Sequence, residues 1–339
     1  MSNEIINEEI LQVIETIVML FLVILAGYFL RRIKLFDKHS TERLSRFVVD
    51  IALPALIFTT LLESIAPQTV LASWYLPIIG IAILLLGIGV GYLLSPFMGM
   101  KKQPGRGSAA FSIGTPNWLF IPLPIATALY GVEGERIVLL VNVGALLVFW
   151  TVGVWVVKGG KPDFSSVKQL AKNPGLLATI FGIIAALLFP WARELHQFEL
   201  AETNILLAAL SLIIAAVRFI GDVTIPLSMI VTGSMLAVTG PAVAFKGKVL
   251  GVSFLRLIAL PLITVLIFYL LQLFGIEVEG MLSLTIIIIS AMPVAVTCSI
   301  VAEKYNGDEI LVSSSIFTTT LISVVTVPVI VYLIDLLGI

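Results

Sequence analysis

Two short stretches carry the same polar residues inside otherwise apolar sequence. RFVVDIALP occupies residues 46–54 and RFIGDVTIP occupies residues 218–226, so Arg, Phe, Asp and Pro recur in the same order and spacing. An Arg and an Asp four positions apart share one face of a helix, where they form an ion pair or leave a carboxylate that exchanges a proton or a cation. These candidate coupling or gating residues are Arg46 with Asp50, and Arg218 with Asp222.

Polar residues also lie beside prolines in two apolar stretches. GTPNWLFIPLPI, residues 114–125, contains three prolines, and AMPVAVTCS, residues 291–299, contains one. Proline breaks or kinks a helix because it lacks a backbone donor. The freed backbone groups need protein or a water-filled cavity, so such breaks either kink packed helices or form a ligand site. The candidate binding residues are Thr115, Asn117, Pro124, Pro293, Thr297 and Ser299, with Asn142, which also suits a hydrogen bond between helices.

Composition identifies the class of protein that holds these residues. Hydrophobic residues make up 59% of the chain and charged residues 12%, whereas a soluble chain carries about a quarter charged residues. We therefore predict an all-α, multi-pass membrane protein. The acidic start, MSNEIINEEI, predicts that the first apolar run is a retained helix rather than a cleaved signal peptide. The single cysteine, Cys298, excludes an internal disulfide.

Apolar runs near the ~20 residues that cross a bilayer predict ten spans. The seventh is too long for one straight crossing, so its first part, 205–216, is expected to lie obliquely before Gly221 turns the chain inward. Glu15 and Arg256, inside spans one and eight, are expected to reach a membrane rim. The ten expected spans are 10–31, 44–63, 71–95, 108–131, 135–157, 174–191, 205–238, 247–274, 281–302 and 309–336.

Charge and repetition orient these spans. Lys and Arg concentrate in the loops after odd-numbered spans, which places both termini outside the cell membrane. The repeated motif falls in spans two and seven, and PIATALYGVEGERI at 124–137 corresponds to PVAVTCSIVAEKYNGDEI at 293–310. A five-span unit inverts its second copy, as in many secondary transporters. The expected organisation is a first repeat at 1–157, a cytoplasmic linker at 158–173 and an inverted repeat at 174–339.

Four segments together resemble the auxin efflux carrier family, which includes plant PIN proteins and bacterial carriers of small carboxylates. They are GYFLRRIKLFDKHSTERLSRFVVDIALPALIFTTL, NWLFIPLPIATALYGVEG, FIGDVTIPLSMIVTGSMLA and AMPVAVTCSIVAEKYNGDEILVSSSIFTTTLISVVTVPVI. The resemblance covers nearly the whole chain. It implies a fold of the bile-acid-symporter and NhaA type, with a scaffold domain of spans one, two, six and seven. Spans three to five and eight to ten would form a transport domain that moves as an elevator.

The resemblance also implies that the interrupted fourth and ninth helices cross at Pro124 and Pro293, and that the protein is a homodimer through its scaffold. Thr297 stands where the family often has Asn, and Asp50 stands where many members have an uncharged residue, whereas Asp222 fits the family. The short loop at 158–173 is typical of a bacterial or archaeal member.

These observations predict an exporter or exchanger of a small organic anion. Its carboxylate would meet the N-terminal ends of half-helices at Pro124 and Pro293, with side-chain hydrogen bonds from Asn117 and Thr297. Auxin-like indole acetate, malonate and malate remain open as substrates. The coupling ion also remains open. The alternatives are transport without a coupled ion, coupling to protons through Asp50 or Asp222, and coupling to sodium.

Other classes of function find less support. His39 and His196 lie in loops without a partner at metal-ligand spacing, and HExxH, GxSxG and phosphate-binding motifs are absent. We therefore expect no enzyme, no cofactor, no metal site and no nucleic-acid partner. The competing hypotheses are a sodium- or proton-coupled anion symporter and a membrane receptor that does not transport.

Overall fold

The computed structural model describes residues 2–66, 72–159, 172–197, 205–237, 246–276, 278 and 280–337, and its regular elements are helices. The helices of the first half are α1 (Ser2–Arg32), α2 (Lys38–Phe47), α3 (Leu53–Ser64), α4 (Leu76–Leu94), α5 (Gly105–Gly114), α6 (Pro122–Val148) and α7 (Val154–Val157). Those of the second half are α8 (Pro174–Leu188), α9 (Ile205–Asp222), α10 (Thr224–Leu236), α11 (Gly247–Phe254), α12 (Leu260–Leu273), α13 (Gly280–Ala291), α14 (Thr297–Lys304) and α15 (Glu309–Leu337).

Among the described residues, six stretches are long and apolar enough to cross a membrane. They are Lys38–Ser64, Leu76–Met98, Pro122–Val157, Ile205–Leu236, Gly247–Leu273 and Glu309–Leu333. Two shorter apolar helices, α8 and α13, accompany them. The prediction of an all-α, multi-pass membrane protein is confirmed at this level, whereas the count of ten spans and the inversion of the halves stay predictions.

Several of these stretches change geometry inside the helix. Turns of π-helix join α2 to α3 at Val48–Ala52, α6 to α7 at Phe149–Gly153, and α11 to α12 at Leu255–Ala259. Within α6, Gly131 has φ 57° and ψ −141°, a conformation that glycine tolerates and other residues rarely adopt. This break lies at the end of the predicted fourth span.

The predicted bend in the seventh span lies slightly further along the chain. Helix α9 continues through Gly221 to Asp222, and α10 begins at Thr224, so the break is at Val223. Gly221 instead allows close packing, because a Cβ there would lie 2.7 Å from the backbone nitrogen of Leu56. The expectation that Gly221 makes the turn was therefore wrong, since its role is the contact between α9 and α3.

Among the described helices, the most extensive contacts join α1 to α10, α3 to α8, and α4 to α6. The first pair is joined by two small residues at reciprocal positions. A Cβ on Gly27 would lie 2.2 Å from the carbonyl oxygen of Ile230, and one on Gly233 would lie 1.8 Å from that of Ile24. Small residues allow this backbone approach, which is the usual way that membrane helices gain packing energy.

Candidate functional site

Two interrupted helices meet in the centre of the bundle. The gap between α5 and α6 and the gap between α13 and α14 each contain extended backbone, and Pro116 pairs with Val294 in an antiparallel bridge. The N–H of Asn117 donates to the carbonyl of Pro293 at 2.7 Å, and the N–H of Ala295 donates to that of Thr115 at 3.0 Å. Each break therefore satisfies backbone groups that the other leaves unpaired, as a membrane interior requires.

The proline of the first half that lies at this contact is not the one that the sequence predicted. Pro116 lies at the contact, whereas Pro124 lies in the first turn of α6, which begins at Pro122. A proline suits that position because the first backbone N–H groups of a helix have no intrahelical acceptor. The expectation that Pro124 marks the crossing was wrong, while Pro293 lies at the contact as expected.

Arg256 lies fully buried against the same two interrupted helices. Its guanidinium donates to the carbonyl of Ile113 at 2.7 Å and to the carbonyl of Ser290. These carbonyls belong to the last turns of α5 and α13, where the helix dipole carries negative partial charge. A single arginine thus holds the ends of both helices, and the expectation that Arg256 reaches a membrane rim was wrong.

A cavity of about 220 Å³ lies beside this contact. Its walls come from the α2–α3 junction, the start of α8, the middle of α10, α6 and the two interrupted segments. In the part of the chain that the structure describes, no charged side chain lines it. The polar lining residues are Ser45, Asn117, Asn142, Asn173, Ser228, Thr232 and Thr297.

Asn117 links the helix break to the cavity. Its backbone N–H is used in the contact with Pro293, and its Oδ1 accepts a hydrogen bond from the N–H of Phe120 at 3.1 Å. These two bonds fix the residue at the entry to α6. Its Nδ2 has no hydrogen-bond partner among the described residues, so this donor is available to a ligand in the cavity.

Asn142 positions an aromatic wall of the same cavity. Its Oδ1 accepts a hydrogen bond from Nε1 of Trp118 at 2.7 Å, and the indole ring packs 5.5 Å from the ring of Phe149. All three residues line the cavity. The two uses expected for Asn142, a hydrogen bond that holds packed segments and a place in the site, therefore occur together.

The other candidate binding residues lie in three places. Thr297 is the first residue of α14 and lines the cavity. Thr115 and Pro293 lie in the helix contact behind the lining, where their carbonyls accept hydrogen bonds. Ser299 is outside the lining and donates to the carbonyl of Val296 within its own helix. The structure thus brings Asn117, Asn142 and Thr297 together.

The two Arg–Asp motifs differ in the structure. Nε of Arg218 lies 3.1 Å from Oδ1 of Asp222, so this pair forms as expected. Within the described ranges, no ion pair joins Arg46 to Asp50, and both side chains are exposed. The expectation of a pair there was wrong: both side chains extend into exposed positions, where an ion pair contributes little to stability.

Sequence reasoning missed the other partners of Arg218. The guanidinium donates to the Thr60 hydroxyl at 3.1 Å and lies within 3.5 Å of Glu63 and 3.6 Å of Glu135. Glu135 is the first residue of the expected fifth span, 135–157, and its sequence context GVEGER resembles a turn, so it was not a candidate site residue. It is instead buried in α6, and no signal short of tertiary contacts identifies it.

Comparison with known proteins gives consistent matches over most of the chain. A family model described as membrane transport protein matches residues 12–163 and 161–331. An uncharacterized transporter of Methanocaldococcus jannaschii is 25% identical over 318 residues, which cover 92% of this chain and 96% of that protein. An uncharacterized transporter of Methanothermobacter thermautotrophicus is 26% identical over 320 residues, 93% of this chain and 96% of its own.

Proposed function

The chain belongs to the membrane transport protein family, which includes the auxin efflux carriers, and we propose that it exports or exchanges a small organic anion by alternating access. The family and both archaeal relatives are transporters, so the chain is a membrane transporter and not an enzyme. The observation that carries the finer proposal is the cavity beside the helix contact, whose mostly apolar wall holds a few uncharged polar side chains.

The lining suits an anion better than a cation. Amide and hydroxyl groups of Asn117, Asn142 and Thr297 can donate hydrogen bonds to a carboxylate. The N-terminal end of α14 lies at the cavity, and the positive partial charge of a helix N-terminus favours a negative group. The volume of about 220 Å³ is below the ~300–1,000 Å³ of drug-sized sites, so we propose a small carboxylate.

The surroundings of Arg256 weigh against sodium coupling at the helix contact. Its guanidinium is a fixed positive charge between the last turns of α5 and α13, and like charges at short distance repel strongly in a poorly hydrated interior. The carbonyl oxygens that a sodium ion would use there already accept hydrogen bonds from the arginine. We therefore favour a carrier without a sodium ion at this point over the sodium-coupled alternative.

Helix packing supports two inverted halves within this mechanism. Helix α1 packs on α10, and α8 packs on α3. Exchanging the halves converts the first pair into the second, as an inverted repeat requires. Three of these helices, α3, α8 and α10, line the cavity together with the interrupted ones, which supports a scaffold of spans one, two, six and seven and elevator movement of the rest. We extend the proposal to a homodimer through this scaffold, in the cell membrane.

Transport by the purified protein in proteoliposomes tests the proposal. Radiolabelled malonate, malate and indole acetate are offered one at a time, with sodium and pH varied independently. We expect saturable uptake of at least one anion and accelerated exchange when the same unlabelled anion is inside. Flux without saturation or exchange would indicate a channel, and binding without flux would indicate a receptor.

A further inference from the structure

A buried cluster of polar side chains joins α3, α6 and α9 away from the cavity. The Thr60 hydroxyl donates to Oε2 of Glu135 at 2.8 Å and accepts from Nη1 of Arg218 at 3.1 Å. Nη2 of Arg218 lies 3.6 Å from the same carboxylate oxygen. Glu135, whose side chain is 5% exposed, also accepts from the Thr127 hydroxyl at 3.2 Å. A buried carboxylate is tolerated only with such partners.

The cluster lies on one side of the cavity. Leu53 and Asn142 line the cavity, and Thr60 and Glu135 lie about two helical turns, or ~10 Å, further along α3 and α6. Leu53 and Thr60 on α3 are seven residues apart, as are Asn142 and Glu135 on α6, so the members of each pair share one helix face. Because the two helices are antiparallel, Thr60 and Glu135 lie at the same level. Buried Leu56 and Ile57 lie between the two levels on α3. Closed packing and the cluster therefore separate the cavity from this side of the bundle.

The members of the cluster come from the two groups of helices that the proposed mechanism moves apart. Thr60 and Arg218 belong to spans two and seven, which are scaffold elements, whereas Glu135 belongs to span five. Any displacement of span five relative to the scaffold stretches both bonds to Glu135. Asp222 and Glu63 share the guanidinium but lie on the scaffold side, so their contacts with Arg218 do not oppose that displacement.

We propose that Thr60, Glu135 and Arg218 form a latch that holds the far side of the cavity closed. The inference rests on the proposed alternating access and adds the residues that hold one of its two states. By the distribution of basic loops, the latch lies toward the outside, and the cavity lies nearer the cytoplasmic linker that precedes Asn173. Opening toward the outside requires that Glu135 leave both partners.

Cysteine labelling tests the latch without any substrate. Cys298, the single cysteine of the chain, is replaced by alanine, and Ser228→Cys places a reporter on the cavity wall. A membrane-impermeant maleimide is then applied to intact cells, where it reaches the outer face of the membrane. In a separate experiment it is applied to inverted vesicles, where it reaches the cytoplasmic face. We expect the latched protein to react mainly in inverted vesicles. Glu135→Gln and Thr60→Val are expected to raise the reaction rate in cells about tenfold, because each removes a bond that involves a charged group.

The matched control is Glu42→Gln, which removes an exposed acid that pairs with Lys38 within α2 and is expected to leave both rates unchanged. Thr60→Val keeps the side-chain shape and every charge, so it tests the latch even when Glu135→Gln impairs folding. If a Thr60→Val protein of normal thermal stability is labelled in cells at the same slow rate as the protein with Thr60, the latch is overturned. Saturable transport by that same protein would leave the proposed function standing.

Discussion

The backbone N–H of Asn117 and the carbonyl of Pro293 form a 2.7 Å hydrogen bond between two helices that are each interrupted at this point. Because the backbone of Asn117 is committed to this bond, and its Oδ1 to Phe120, the residue is held in one orientation. Its Nδ2, which has no partner among the described residues, is the side-chain donor left for a ligand. The helix contact thus fixes a donor in the cavity before any ligand arrives.

Asn117→Ala is expected to weaken substrate binding more than it weakens the protein. Loss of one donor to a charged ligand costs about 1.5–3 kcal/mol, so the apparent affinity for the transported anion should fall at least about tenfold in proteoliposome uptake. Ser299→Ala is the control, because its hydroxyl bonds only to its own helix. Equal affinities in the two variants would remove Asn117 from the site.

Replacement of Arg256 is expected to damage the fold. Arg256→Met keeps a long apolar stem but leaves the buried carbonyls of Ile113 and Ser290 without their donor, at about 1–3 kcal/mol for each group. Thermal unfolding in detergent should therefore occur at a clearly lower temperature. Arg46→Gln, at an exposed arginine, should unfold like the wild type. An unchanged unfolding temperature for Arg256→Met would contradict the proposed bracing of α5 and α13.

A double-mutant cycle separates the two Arg–Asp motifs. Arg46→Gln and Asp50→Asn should combine additively, because the structure places no ion pair between them in the ranges it describes. Arg218→Gln and Asp222→Asn should show a coupling energy of up to about 1 kcal/mol, since the pair forms at 3.1 Å but Asp222 is 56% exposed. Chemical unfolding of singles and doubles measures both terms. A larger coupling in the first pair would contradict the exposed, unpaired placement of Arg46 and Asp50 in the described ranges.

Two glycines give opposite expectations for the same substitution. Gly233→Ala places a methyl group against the carbonyl of Ile24 and should force α1 and α10 apart, at a cost of about 1–3 kcal/mol. Gly89→Ala meets nothing within 4 Å and should stabilise α4 by about 0.4–1 kcal/mol. Unfolding temperatures of the two variants should lie on opposite sides of the wild type, and the same sign for both would refute the packing argument.

The Asp37 cap predicts a pH dependence near α2. Hydrogen bonds from the backbone N–H and the hydroxyl of Ser40 lower the pKa of the Asp37 carboxyl. A lowered pKa stabilises the fold above the ordinary aspartate pKa of about 4, and this contribution disappears as the pH falls through the folded-state value. Asp37→Ala should therefore lower the unfolding temperature more at pH 7 than at pH 3. Asp37→Asn, which still caps a helix, should show the smaller loss at pH 7.

The parts of the fold that sequence predicted are those with local causes. Hydropathy identifies a membrane protein because each spanning helix satisfies its backbone hydrogen bonds within its own segment. The helix breaks near Asn117 and Pro293 were predictable because proline removes a donor wherever it stands. Which of three nearby prolines reaches the partner helix depends on where α6 starts, and nothing in the local sequence of residues 114–125 decides that.

The errors share a tertiary cause. The two Arg–Asp motifs have the same spacing, but Arg218 is held by Thr60 and Glu135 from distant segments, whereas Arg46 is exposed. Glu135 follows a turn-like sequence and is buried only because Thr60 and Arg218 arrive from distant segments. From sequence alone, Arg256 resembles a residue at the membrane rim. Its burial depends on the carbonyls of α5 and α13, which come from distant segments of the chain. Charged residues inside membranes are thus the hardest to place from sequence.

The uncharged lining of the cavity also has an electrical consequence. In the described portion of the chain the cavity offers no cationic side chain, so the carboxylate that we propose to bind there would keep its net charge while it moves. Each turnover without a counter-ion would then be a current. A membrane potential of 100 mV, negative inside, supplies about 2.3 kcal/mol per charge. That energy alone would sustain an anion concentration about 50-fold higher outside than inside.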